Sequence, residues 1–159
     1  MIEGQALIKL NKDLSKIGED LFKAAIAVPD AITRRLAIGA NDIRNTIIMS
    51  MRETPKTGRI YKRKSVRHIS SSPGNPPAID TGELVRSIIF DVKPFEIEVG
   101  SEGGAPYAEA LEYGAEYKDG HKMAARPWLA PAVDKHEKEI INDVGKTAFE
   151  LVKKPFKGK

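Results

Sequence analysis

The chain has 159 residues with a net charge of +4, and it is too apolar for a wholly disordered protein yet only long enough for one domain. Having no cysteine excludes disulfide scaffolds, thiol nucleophiles and cysteine-type zinc sites. No apolar run approaches the ~20 residues of a membrane span, and Met1-Ile2-Glu3-Gly4 lacks a signal-peptide layout, so the expectation is a soluble domain made in a cytosol.

The first element is an amphipathic helix, with Leu7, Leu10, Leu14, Ile17 and Leu21 at alternating spacings of three and four. Pro29 predicts its end, because a proline biases the preceding residue away from helix. A second helix is expected from about Asp30, with Leu36, Ala40, Ile43, Ile47 and Met51 as its stripe, ending before Pro55. Both stripes read more readily as core than as a partner-binding hairpin.

Residues 55–80 change character. They hold the turn chemistry of Pro55-Lys56-Thr57-Gly58 and the loop composition of Ser70 to Pro77. Between these lie β-formers mixed with cations, and the whole is predicted to be a long extended arm. Its cations are Lys56, Arg59, Lys62, Arg63, Lys64 and Arg67, with Tyr61 among them and no acid from 56 to 79. Residues 80–116 then carry nine carboxylates against Arg86 and Lys93, so the chain is electrically divided.

Asp80 and Glu83 have capping-box spacing, which predicts a short helix through Leu84 and Val85. Ile88, Phe90 and Val92 alternate, as do Phe95, Ile97 and Val99, giving two half-buried strands that bend at Lys93-Pro94. Gly100 to Gly104 read as a turn. Pro106 suits the start of a short helix over Tyr107 to Tyr113, which Gly114 stops. After a polar loop over 115–127, Pro131 opens a last helix that runs into a lysine-rich tail. The fold expected is one α+β domain over 1–159. A helical part (1–54) and the basic, proline-rich arm (55–80) precede a body with the C-terminal helix (81–159). In it a small antiparallel sheet, joined by part of the arm, packs against the N-terminal and C-terminal helices.

No catalytic constellation emerges. His68, His121 and His136 are scattered without partners at metal-ligand spacing, and no glycine pattern suits a phosphate loop. Glu109 and Glu112, three apart on one short helix, read as a solvated face. The expectation is a non-enzyme without cofactors or metal. The arm has two readings: it neutralises nucleic-acid phosphates, or it pairs with the acidic block within the chain or on a neighbouring subunit.

Four blocks then act as a set. They are Thr57-Gly58-Arg59-Ile60-Tyr61 with His68; Ser72-Pro73-Gly74-Asn75-Pro76-Pro77-Ala78-Ile79-Asp80-Thr81-Gly82-Glu83-Leu84; Pro106-Tyr107-Ala108-Glu109-Ala110-Leu111-Glu112-Tyr113-Gly114; and Ala125-Arg126-Pro127-Trp128-Leu129-Ala130-Pro131-Ala132. In this order, over about residues 54–153, they resemble the neck and head–tail joining proteins of long-tailed bacteriophages, a family also described as tail-completion or minor tail components. Ala115 departs from the threonine often found after the glycine of the third block. The resemblance implies a structural virion protein, made in the host cytoplasm, that forms a ring at the neck or tail end. Sixfold symmetry is expected from that of tails. Neck, head-closure, terminator and tail-tube proteins would be its partners, with non-specific DNA contact in the channel. In this reading the arm of one subunit meets an acidic counter-face on the next, made of Glu96, Glu98, Glu102, Glu109, Glu112 and Glu116. The blocks themselves serve as scaffold, with Asp80 and Thr81 capping a turn, Gly82 leaving the backbone uncrowded and Trp128 as a core anchor.

Overall fold

The computed structural model describes residues 4–103 and 105–154, with side chains from residue 16 onward. The lysine-rich end beyond Lys154 lies outside the described residues. The architecture is α+β, as expected. In chain order it comprises α1 (Gly4–Glu53), β1 (Ile60–Arg63), β2 (Val66–Ile69), α2 (Glu83–Ser87), β3 (Ile88–Lys93) and β4 (Glu96–Ser101). There follow α3 (Ala108–Tyr113), β5 (Ala115–Glu116), β6 (Lys122–Met123) and α4 (Ala130–Lys153). No described helix is long and apolar enough to cross a membrane.

Two expected helices are one. α1 runs through Pro29 for 50 residues, about 75 Å at the usual rise. The proline forfeits one backbone hydrogen bond, at a cost of about 3 kcal/mol. The buried positions Ala24, Ile32, Leu36, Ala40, Ile43, Ile47 and Met51 nonetheless keep one helical phase across it. Thr33 Oγ1 also donates to the Pro29 carbonyl at 2.9 Å. Packing along the stripe outweighs the local break.

α4 lies antiparallel against α1. Thr46 Oγ1 and His136 Nε2 are 2.7 Å apart, and seven residues earlier a Cβ at Gly39 would sit 2.5 Å from Ile140. Glycine is needed there for close approach. The core joins Ile43, Ile47 and Met51 of α1 to Leu84, Ile88, Ala105, Ala108, Trp128 and Ala132.

β3 and β4 form the expected hairpin, from Ile88 opposite Ser101 to Lys93 opposite Glu96. Its turn places Phe95 at φ 68°. Three expectations fail around it. The basic segment is not an extended arm, because β1 and β2 pair from Ile60 opposite Ile69 to Arg63 opposite Val66, with Lys64 at φ 56° in the turn. Nor does it join the β3–β4 sheet; each hairpin is a separate two-stranded sheet. Within 115–127, β5 and β6 form a third small pair.

The capping box is also absent. Gly82, at φ 77°, is itself the residue before α2, and no side chain caps that helix. Thr81 Oγ1 accepts only a 3.4 Å bond from the Glu83 amide. Asp80 is thereby freed for other partners.

Candidate functional site

The third and fourth sequence blocks meet at one carboxylate. Glu112, on the last turn of α3, is buried at 7% exposure. Its Oε2 accepts the amides of Trp128 (2.6 Å) and Leu129 (2.9 Å), and its Oε1 accepts that of Ala130 (3.0 Å). These amides lead into α4, with Leu129 its N-cap and Ala130 its first residue, where N–H groups have no partners within the helix. A carboxylate there also meets the positive end of the helix dipole. The expectation of a solvated Glu109–Glu112 face is therefore corrected. Glu109 is exposed, whereas Glu112 caps α4 from another helix and leaves the acidic counter-face.

Around this node the blocks are stitched by backbone. The Arg126 amide donates to Leu111 O (2.6 Å) and the Gly74 amide to Ala125 O (2.9 Å). Arg126 Nε donates to Ser71 O at 3.2 Å. Trp128, buried as expected, donates its indole N–H to Ala108 O at 3.1 Å. Gly114 (φ 79°) closes α3 where a Cβ would fall 2.8 Å from Met123 O, so only glycine fits. Pro127 and Pro131 flank the start of α4, with Pro131 in its first turn. Leu84 is core, Pro77 is buried, and Pro73 and Tyr113 are exposed.

A second node gathers charge at the hairpin. Asp80 accepts from Tyr61 OH at 3.0 Å and contacts His68 Nδ1 at 2.6 Å. Tyr61 and His68 face each other across the strands and stack at 5.5 Å. Arg63 approaches Asp80 (3.8 Å) and Glu83 (3.6 Å), while Tyr107 OH donates to Glu83 at 3.5 Å. Burial first, then the Asp80 carboxylate, pushes the Tyr61 phenol above its ordinary 10.0. Burial and Glu83 do the same at Tyr107.

Of the six basic-segment cations, only Arg63 is in an ion pair among the described residues. Lys56, Arg59, Lys62, Lys64 and Arg67 remain on an exposed hairpin and its approach. The acids expected opposite them are spread over β4 (Glu96, Glu98), its following turn (Glu102), α3 (Glu109) and β5 (Glu116). Glu98 is held by Lys93 (2.8 Å) and Glu116 by Lys122 (3.3 Å). Lys93 holds the Glu98 carboxyl below the usual range.

Between the two nodes lies a cavity of about 630 Å³, walled by the hairpin, residues 70–85, Tyr107, Leu111 and residues 121–126. Ser71 lines it, and its buried Oγ has no hydrogen-bond partner. Among the described residues, no group of three or more His, Asp or Glu side chains could hold a metal ion.

Sequence reasoning missed Glu112, yet a signal existed. Residues 108 and 112 share a helix face, and Ala108 belongs to the apolar side of α3. Ser71 had no comparable signal. No family model, curated protein or solved structure matches the chain.

Proposed function

We propose that this chain is a structural virion protein of the connector region between phage head and tail, forming a ring that completes the neck or the tail end during assembly. One observation supports this reading above others. Of the four blocks that carry the resemblance, the third and fourth meet at Glu112, and the second reaches the fourth through Gly74 and Ala125. The first joins the second through Thr57–Ser72 and Tyr61–Asp80. The unit they form presents an exposed cationic hairpin on one side.

In the ring, the unpaired cations of that hairpin meet exposed acids of the next copy, Glu102 and Glu109 foremost. Such a heterologous contact closes when the rotation between copies is right. Arg63 has a smaller share, since Asp80 and Glu83 already engage it within the chain.

A second reading is favoured by the same unpaired cations: the hairpin and the lysine-rich end grip packaged or passing DNA. Negative-stain imaging of the purified full chain and a salt series of duplex-DNA binding separate the two. Closed rings with weak DNA affinity support the connector reading. A monomer that binds DNA with a steep salt slope, lost on neutralising the hairpin lysines, would replace it with the second.

A further inference from the structure

We propose that the outward faces of the two larger hairpins fit each other between copies: Lys62 and Arg67 of β1–β2 in one copy dock on Asp91 and Glu98 of β3–β4 in the next. The proposal rests on the ring reading for closure, and it gives the charge contact of that ring a location and a direction.

Cross-strand pairing divides the first hairpin into two unlike faces. Tyr61 opposite His68 and Arg63 opposite Val66 share the inner one, where Tyr61, His68 and Arg63 all engage Asp80. Side chains alternate along a strand, so Ile60 opposite Ile69 and Lys62 opposite Arg67 make the outer one. All four are exposed. Like charges directly across a ladder are destabilising, and neither Lys62 nor Arg67 is in an ion pair among the described residues.

The second hairpin has the opposite imbalance. Its inner face places Ile88 in the core and Val99 against it. On its outer face Asp91 stands opposite Glu98, an acidic pair across the ladder. Ile89 opposite Gly100 lies on one side of that pair, and Lys93 opposite Glu96 on the other. Lys93 bonds Glu98 at 2.8 Å, but three carboxylates stand against this one lysine, so the face stays acidic. Ile89 is exposed, and open space surrounds the Cβ position of Gly100. Glu102, just past the end of β4, borders the face.

Laid face to face with their turns pointing the same way, the hairpins match level by level, at about 7 Å per level in both. Lys62 and Arg67 meet Asp91 and Glu98, while Ile60 and Ile69 meet Ile89 and the gap at Gly100. Lys64, in the first turn, comes level with Glu96. Turned end for end, the same charge match would press Ile60 and Ile69 onto Lys93 and Glu96, so the polarity is fixed. Each hairpin turns its other face to its own chain, and no ion pair joins the two among the described residues. The occupant is a second copy, because nucleic acid would satisfy the cations and leave the acidic pair unrelieved. Two different surfaces meet, so the contact is head-to-tail and propagates.

Charge exchange in the full-length protein tests it, with assembly read by native mass spectrometry. One variant carries Lys62→Glu with Arg67→Glu, and the other Asp91→Lys with Glu98→Lys. Each changes exposed side chains of a single face, so each should melt near the parent. Neither should form rings alone, because like charges then meet across the contact. Mixed in equal amounts, the two complement each other, and rings of alternating copies should return. One chain carrying all four changes should close whatever the copy number. Rings from either variant alone overturn this contact and leave the ring reading standing. So does a parent that closes while neither the mixture nor the fourfold chain recovers. A parent that stays monomeric overturns both. Duplex DNA bound by that monomer, and released by Lys62→Glu with Arg67→Glu, would assign the cationic face to nucleic acid instead.

Discussion

Two carboxylates in this molecule each collect several donors, and they do opposite work. Glu112 is buried and takes three helix-terminal amides at 2.6–3.0 Å. Asp80 sits at the edge of the hairpin with its side chain 23% exposed, and its partners are Tyr61, His68 and a distant Arg63. The Trp128 amide at Glu112 is buried with it, and those of Leu129 and Ala130 are partly so. The donors at Asp80 can turn to solvent. The first carboxylate should therefore carry stability and the second only the orientation of the hairpin.

Substitutions sharpen that contrast. Trp128→Ala removes the largest core anchor beside Glu112 and should cost about 3–5 kcal/mol in denaturant melts. Glu112→Ala leaves three helix amides unmet and should cost about 3 kcal/mol, whereas Glu112→Gln, which keeps one acceptor oxygen, should cost about half as much. Asp80→Ala should cost no more than about 1 kcal/mol. Equal losses at Glu112 and Asp80 would erase the distinction between the nodes.

The hairpin is tested by assembly instead of stability. Reversing Lys62 and Lys64 to Glu, which leaves the Arg63 pairs with Asp80 and Glu83 in place, should abolish ring formation while the melting curve stays near that of the parent. Intact rings from this variant would remove the hairpin from the contact. The smallest effect is on pH. Tyr61 and Tyr107 have raised phenol values in the folded chain, so the folded state holds their protons more tightly than the unfolded. Their contribution is full below pH 10 and is lost as pH rises through the folded values. Ultraviolet titration should show two phenols ionising above 10, and Asp80→Asn should bring Tyr61 down.

What was legible in the sequence follows from what leaves a periodic trace. β4 and α4 were readable because each buries one side and so alternates or repeats. β3 was readable because its sequence alternates although Phe90 is exposed, and α3 because Pro106 and Gly114 bracket it. The β1–β2 hairpin was not, since Ile60, Val66 and Ile69 are all exposed and neither face is apolar enough to produce a pattern. Pro29 was over-read: a local rule predicted a break that the long α1–α4 contact overrides. The capping box failed because Gly82 takes a left-handed conformation that starts α2 later. Glu112 was misjudged because its charge suggested water, while its helical phase pointed inward. Hydrogen bonds from distant residues to Ser71, Leu111 and Ala125 depend on tertiary closure and leave no trace in spacing.

The central claim is that the chain assembles into one closed ring, and native mass spectrometry of the purified protein tests it most directly. The account predicts a single species at a fixed multiple of 17.5 kDa, stable to dilution because closure gives every copy two contacts. A 17.5 kDa species at all concentrations, or an open series of multiples with no preferred size, would contradict it.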